Sequence, residues 1–227
     1  MVRWEDIDTV LLDMDGTLLD LHFDNLFWNE TLPRKWGELH GLEFPEASAQ
    51  LLPRLRSREG TLSWYCLDYW SRELGMDIFE LKSGMEDLIR IRPGADDFLA
   101  HVRSLGKFTA LVTNAHEKLL QRKLERTGIG AHFDAIVSAH SLGLPKEEAR
   151  FWPELQARFA FDPGRTLLID DNAAVLRSAR AFGIRWLFTI ARPDSRRPPR
   201  DSTEFPSLDS FQPLMSPVRA KQRSQAG

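Results

Sequence analysis

The chain has 227 residues, 42% of them hydrophobic, and a formal net charge of −3. This length suits one α/β domain with an insertion, and the apolar content supplies a sizeable core. The charge gives no electrostatic case for nucleic-acid binding, no apolar run is long enough to span a membrane, and Cys66 is the only cysteine, so no intrachain disulfide can form.

Thr9-Val10-Leu11-Leu12 is the first apolar run and reads as a buried strand. It ends in Asp13-Met14-Asp15-Gly16-Thr17, where Gly16 permits a sharp turn. Two carboxylates two residues apart repel each other and cost folding energy unless a cation compensates them. Mg²⁺ is the usual partner of an all-oxygen cluster. The motif therefore points to metal-assisted chemistry with one carboxylate free to act as a nucleophile, although Asp and Gly are also ordinary turn residues.

From about Asp20 to Arg90 there is no strong strand pattern. Helical spacing covers Asp24 to Leu39, Pro45 to Arg56, Leu62 to Leu74 and Ile78 to Ile89, punctuated by Gly41, Gly60, Gly75 and Gly84. Residues 20–90 read as an α-helical cap inserted after the first strand. Arg92-Pro93-Gly94 then starts a helix through Leu105, and strands and helices alternate to about Phe188, implying right-handed βαβ units. The expected fold is α/β, a Rossmann-like parallel sheet core with helices on both faces, built from 1–19 and 91–191, plus the inserted helical cap. From Arg192 onward seven Lys/Arg stand against four Asp/Glu, so this end carries +3 and the remainder −6. Residues 192–227, rich in Pro, Ser and Arg, are expected to form a largely irregular, solvated tail, with Leu208 and Phe211 docking a short piece of it.

Three later strand ends also carry polar residues. Phe108 to Val112 runs into Thr113-Asn114, where a hydroxyl and backbone N–H groups can hold a phosphate oxygen or cap the helix from Glu117 to Arg126. Lys146 follows Pro145, and Thr166 to Ile169 runs into Asp170-Asp171 ahead of a helix from Asn172 to Phe182. In an open parallel sheet, ligands bind outside the carboxyl ends of the strands, so all four stations can converge on one crevice.

Asp13-x-Asp15-Gly16-Thr17, Thr113, Lys146 and Asp170-Asp171, in that order, resemble the four-motif signature of the haloacid dehalogenase-like hydrolase superfamily. Asp13 to Trp28, Trp64 to Ser71 and Thr166 to Asp171 further resemble its bacterial GMP/IMP nucleotidases, over about Trp4 to Ile190, with a weaker echo at Pro206-Ser207-Leu208. The resemblance implies a Mg²⁺-dependent phosphohydrolase that cleaves the purine nucleoside 5′-monophosphates GMP and IMP through an aspartyl-phosphate. It implies Asp13 as nucleophile, Asp15 as acid and base, and Lys146 as a catalytic cation that also binds phosphate. Thr113 and Asn114 would hold the phosphoryl oxygens. Mg²⁺ would be held by Asp13, Asp170 and the main-chain carbonyl of Asp15, supported from behind by Asp171 and Thr17. An acid at Asp15 suits an alkoxide leaving group, whereas a halide needs none. Neighbouring carboxylates push the Asp15 pKa up, while Mg²⁺ and Lys146 push it down, and the sequence leaves that balance open. The same motifs serve a phosphatase or phosphotransferase acting on another small metabolite such as a sugar phosphate, so that alternative stands beside the nucleotidase.

Substrate choice falls to the cap. Trp64, Tyr65, Tyr69 and Trp70 crowd one predicted helix, and Phe23, Phe27 and Trp28 another. Aromatic side chains dominate small cores, and from this set Trp28 and Tyr65 are the candidates for contact with a base. The histidines, His22 and His116 among them, show no metal-ligand spacing and are expected at the surface, with His22 near the entrance. The expected partner is a small-molecule nucleotide, with neither nucleic acid nor membrane. A single thiol, and no apolar signal region in Met1-Val2-Arg3-Trp4-Glu5-Asp6, lead to an expected cytoplasmic location.

Overall fold

A computed structural model describes residues 2–200 and 204–215. Strand β1 (Thr9–Leu12) is buried at every position. It lies in the middle of a six-stranded sheet in the order β3-β2-β1-β4-β5-β6, with β2 (Phe108–Thr113), β3 (Ala135–Ser138), β4 (Thr166–Ile169), β5 (Trp186–Ile190) and β6 (Ser207–Leu208). All neighbouring pairs are parallel. A strand covered on both faces has no solvent side, which is why its sequence is continuously apolar instead of alternating.

Successive residues of the central strands feed two separate cores. Val10, Leu12, Leu111 and Ile169 pack on one side with Phe98 and Val102 of α7 (Ala95–Ser104) and Leu119 and Leu120 of α8 (Glu117–Thr127). Leu11, Ala110, Val112 and Leu168 pack on the other with Phe151 and Trp152 of α9 (Phe151–Arg158) and Val175 and Leu176 of α10 (Ala173–Phe182). The strand period of two thus places helices on both faces, as the sequence implied.

Between β1 and α7 run six short helices: α1 (His22–Leu26), α2 (Leu32–His40), α3 (Phe44–Arg56), α4 (Leu62–Tyr65), α5 (Leu67–Leu74) and α6 (Ile78–Ser83). A π-helical turn over Phe27–Thr31 joins α1 to α2. Two expected helices change form. The Leu62 to Leu74 helix is broken at Cys66, whose backbone is extended (φ −86°, ψ 109°) and whose Sγ accepts from the Tyr69 N–H at 3.3 Å. The helix expected to reach Ile89 stops at Ser83, and a 3₁₀ turn follows over Glu86–Leu88. Side-chain spacing is nearly unchanged by a one-residue break, so periodicity does not register it.

Register decides where the functional ends emerge. Leu12 pairs with Leu111 on one side and Ile169 on the other, so Asp13 and Asp170 leave adjacent strands in step. The chain runs outward from β1 through β2 and β3, then crosses back to place β4 against the other edge of β1. That reversal is the switch point where open α/β sheets bind ligands.

Leu208 and Phe211 dock part of the tail, and the expectation of a solvated extension is corrected at Asp194 and Leu214. β6 adds the sixth strand, Leu208 is buried, and the Phe211 ring stacks on Phe98 with centroids 4.8 Å apart. Leu214, in α11 (Gln212–Met215), is buried, and its carbonyl accepts from Trp4 Nε1 at 2.8 Å. Residues 192–200 are irregular, yet Asp194 is buried and accepts from Asn25 Nδ2 at 2.7 Å. Residues 201–203 and 216–227 of the expected tail lie outside the described residues. Composition alone marked this segment as irregular, but its few apolar residues are the ones that anchor it. Phe211→Ala should therefore destabilise the whole fold by about 3 kcal/mol, read as a fall in the midpoint of chemical denaturation; an unchanged midpoint would show the docking to be energetically idle.

Candidate active site

Lys146 sits at the centre of the strand-end cluster. Its Nζ donates to Asp13 Oδ1 at 2.6 Å, Asp170 Oδ2 at 2.7 Å and the Val112 carbonyl at 2.9 Å. All three charged side chains are buried. An ammonium has three protons, and here each has an acceptor.

The loop that carries Lys146 is braced by its neighbours. The Lys146 N–H donates to Asn114 Oδ1 at 2.9 Å, and Asn114 Nδ2 donates to Glu147 Oε2 at 2.9 Å. Glu147 Oε1 also accepts from Asn172 Nδ2 at 3.1 Å and from the Tyr65 hydroxyl at 2.5 Å. Asn114 thus spends its side-chain oxygen and one amide proton on positioning Lys146. Tyr65 reaches across from the inserted helices to the sheet, and burial, with Glu147 adding to it, lifts its phenol well above the usual value. Thr113 Oγ1 accepts from the Ala115 N–H at 3.0 Å, which leaves its proton for another acceptor.

Asp13, Asp170 and Asp171 each bring a carboxylate oxygen within 4.8 Å of the other two. Burial pushes all three up, and mutual repulsion adds to it: Asp13 to about 7, Asp170 to about 6 and Asp171 to about 7. Burial opposes charge on Lys146 too, but Asp13 and Asp170 outweigh it and hold the ammonium well above its usual value. One ammonium among three carboxylates leaves two negative charges, offset in part by Arg200 at 3.3 Å from Asp171 Oδ2. An all-oxygen donor set with surplus negative charge fits a hard divalent cation. Gly16 makes the cluster possible. It has φ +85°, and an added Cβ there would meet Asp171 Cγ at 2.7 Å. Thr17 is fully buried beneath, with Oγ1 unpartnered among the described residues.

Asp15 faces a different set of charges, which the sequence reading missed. Its Oδ1 accepts from Lys123 Nζ at 2.6 Å, and the same ammonium donates to Asp24 Oδ2 at 2.7 Å. Lys82 Nζ donates to Asp24 Oδ1 at 2.5 Å. Both lysines are buried, and the Lys82 ammonium lies about 5 Å from the ring centres of Phe23, Phe27 and Trp28. Burial raises the Asp15 pKa, Lys123 opposes it, and the upward push prevails. Burial thus outweighs the neighbouring carboxylates as the upward push, and Lys123 takes the place of Lys146 as the nearest opposing cation. One signal was available: Lys123 falls beside Leu119 and Leu120 on the apolar face of α8, an unusual place for a lysine.

Asp13, Asp15, Thr113, Asn114, Lys146, Asp170 and Asp171 all line one cleft of about 600 Å³, within the usual size range for small-molecule sites. Trp28 and Tyr65 line it too, as do Trp64 and His116. The tail supplies Arg197 and Arg200 to the same lining. Its backbone is fixed there by Leu21 N–H to the Pro193 carbonyl at 2.9 Å and Ser195 N–H to Asp20 Oδ1 at 3.0 Å. His22 faces Asp194 at 3.5 Å and does not line the cleft.

Residues 7–183 match the family described as hydrolase, haloacid dehalogenase-like hydrolase. The chain is 42% identical over 214 residues to the GMP/IMP nucleotidase YrfG of Escherichia coli strain K12, covering 94% of this chain and 96% of that one. Among solved structures, a HAD phosphatase from Thermococcus onnurineus superposes with a TM-score of 0.77 at 20% identity, covering 92% of this chain and 96% of that one. A putative beta-phosphoglucomutase from Thermotoga maritima gives a TM-score of 0.64 at 17% identity, covering 92% and 97%. The chain belongs to the haloacid dehalogenase-like hydrolase family and is a hydrolase.

The crowded carboxylates have a measurable cost. An acid raised on folding, as Asp171 is from 3.8 to about 7, destabilises the fold above its folded pKa and not below 3.8. In metal-free buffer Asp171→Asn should therefore raise the melting temperature by a few degrees above about pH 7. The gain should fade as pH falls through the window from about 7 to 3.8. A gain independent of pH would assign the effect to something other than charge.

Proposed function

We propose that this hydrolase is a Mg²⁺-dependent phosphomonoesterase acting on purine nucleoside 5′-monophosphates, GMP and IMP among them, in the cytoplasm. The observation that carries the chemistry is the Lys146 ammonium clamped between Asp13 and Asp170 at the switch point, with Asp15 two residues away in a separate charge environment. The substrate class is supported by 42% identity over nearly the whole chain to a GMP/IMP nucleotidase and by an aromatic-lined cleft.

Asp13 and Asp170, with the main-chain carbonyl of Asp15, would hold the metal, and Asp171 stands beside them. When bound, Mg²⁺ neutralises charge that would otherwise repel an anionic phosphoryl group. Lys146 fixes Asp13 through Oδ1 and leaves Oδ2 to attack phosphorus. The Asp13 oxygen–phosphorus bond forms as the bond from phosphorus to the ribose oxygen breaks, and Asp15 gives its proton to that departing oxygen. Asp15 then takes a proton from the water that attacks the aspartyl-phosphate, which frees phosphate and restores Asp13. Thr113 donates its free hydroxyl proton to a phosphoryl oxygen, and backbone N–H groups beside it add to that hold. Lys123 orients Asp15 by pinning Oδ1, so that the other oxygen carries the proton. Closure of the inserted helices over the substrate excludes water from the site.

Phosphate release from GMP, IMP, AMP, CMP and glucose 6-phosphate tests this reading. With Mg²⁺, GMP and IMP should turn over fastest; EDTA should abolish release, and Asp13→Asn should remove it while leaving the fold intact. Equal rates on all five substrates would end the purine assignment and leave the phosphatase chemistry standing. Full activity without divalent metal would overturn the mechanism.

The role of Lys123 is separable from stability by its dependence on the leaving group. Lys123→Met, like Asp15→Asn, should lower kcat/KM for GMP on the order of 10²–10⁴-fold, the usual worth of a positioned acid. For p-nitrophenyl phosphate, whose phenolate leaves with little help, the loss should be far smaller. Equal losses on both esters would reduce Lys123 to a packing role.

A further inference from the structure

Cys66, His116 and His140 come from three distant parts of the chain. Cys66 is the break between α4 and α5, His116 is the N-cap of α8, and His140 lies in the 3₁₀ turn Ala139–Leu142 after β3. The structure nonetheless brings one possible ligand atom from each within 4.8 Å of the other two. The two imidazoles meet edge to face with centroids 4.9 Å apart. The expectation of a surface role is corrected for His116, which has only 12% of its side chain exposed.

The polar accounting at this cluster is incomplete. His116 Nδ1 and His140 Nε2 are buried and have no hydrogen-bond partner among the described residues. Two buried ring nitrogens with nothing to bond are costly unless a ligand completes them. The opposite edges of both rings are engaged. His116 Nε2 faces Asp68 Oδ2 at 3.6 Å, and His140 has a hydrogen bond with the main chain of Asn114. Ligating imidazoles regularly carry such outer partners, which fix the tautomer and aim the lone pair. Burial lowers the pKa of both rings, His140 to about 4, so each presents a neutral imidazole at neutral pH.

We propose that Cys66, His116 and His140 form a second metal site, separate from the carboxylate cluster, for a thiophilic divalent cation of the zinc class. Sulfur and imidazole donors select such an ion over Mg²⁺, which prefers oxygen. Three protein ligands leave one tetrahedral position for water. At bond lengths of about 2.0–2.3 Å the donors would draw in by roughly 1 Å on binding. The Cys66 thiol loses its proton to solvent as the metal–sulfur bond forms. Cys66 belongs to the inserted helices and both histidines follow sheet strands, so the ion bridges the two sides of the cleft. It would hold the cleft shut and slow product release.

The full-length protein, stripped with chelator and returned to excess Mg²⁺, can be titrated with Co²⁺ as a spectroscopic substitute. One equivalent should produce a thiolate-to-cobalt charge-transfer band in the near ultraviolet, displaced by Zn²⁺. Cys66 is the sole cysteine, so such a band has no other source. It should vanish in Cys66→Ser, and His140→Gln should weaken Co²⁺ binding by about tenfold or more, with folding of each variant checked by circular dichroism. Cobalt uptake without a thiolate band in the unaltered protein, or undiminished affinity in His140→Gln, would overturn the site. Under the same Mg²⁺ excess, one equivalent of Zn²⁺ should lower kcat in the unaltered protein and not in Cys66→Ser. Equal inhibition of both would overturn the bridging role by placing the inhibitory zinc elsewhere.

Discussion

The site depends on one buried ammonium. Lys146 holds Asp13 and Asp170 together at the ends of two adjacent strands, and the register of those strands delivers the carboxylates in step. Burying such charges costs free energy, and the attraction between them recovers that cost only when every proton and lone pair is satisfied. The three acceptors on Lys146 meet that condition for the cation but not for the carboxylates, which outnumber it. The cluster is therefore held by the fold and not the reverse. A continuous apolar strand, a braced loop at Pro145-Lys146 and a glycine that lets Asp171 approach are the structural means.

Two carboxylates in one five-residue motif are separated in role by where they point. Asp13 faces Lys146 and the acidic cluster, while Asp15 faces Lys123 and, through it, Asp24. A nucleophile must be ionised at the moment of attack, and a general acid must still carry its proton. Burial raises both pKa values here, so in the proposed mechanism the different charged neighbours, with the metal, would have to set the two tasks apart. Asp24 has the easiest time as an anion: burial works against its charge, but Lys123 and Lys82 both bear on it and hold its pKa well below the usual value. It can therefore anchor Lys123 while Asp15 changes protonation. Lys82 in turn binds Asp24 against the aromatic rings of α1 and its neighbours, so the acid is positioned by a chain of contacts that begins in the inserted helices.

Most of the α/β architecture and the strand-end residues were legible because each is a local signal. A buried parallel strand announces itself by continuous Val, Leu and Ile, and its exit by Asp, Thr, Asn or Gly. The Asp15–Lys123–Asp24–Lys82 network was not legible, since its members are separated by up to 108 positions and each alone looks like an ordinary charge. The same holds for Cys66, His116 and His140, which share no spacing pattern. In the described part of the tail Leu208 and Phe211 were legible as docking residues, whereas Leu214 and the buried Asp194 were not. Pro, Ser and Arg dominate its composition, but binding to the sheet needs only Leu208, Phe211 and Leu214. Average composition gives such a segment low odds of order, whereas a preformed apolar groove needs only a few residues to hold it.

Polar pairs line the seam between the inserted helices and the sheet side, beside an apolar core that both share. Tyr65 meets Glu147, Lys118 meets Asp68 at 2.7 Å, Arg122 meets Glu86 at 2.9 Å and Arg126 meets Asp87 at 2.6 Å. The last three pairs include exposed partners, and such pairs are each worth about 0–1 kcal/mol and weaken with salt. The exception is the buried contact of Lys123 with Asp24, which lies beside the acid itself. Opening the seam there would release Lys123 from its anchor and loosen Asp15. In the proposed mechanism, closure of the inserted helices over the substrate and the aiming of Asp15 would thus be one event.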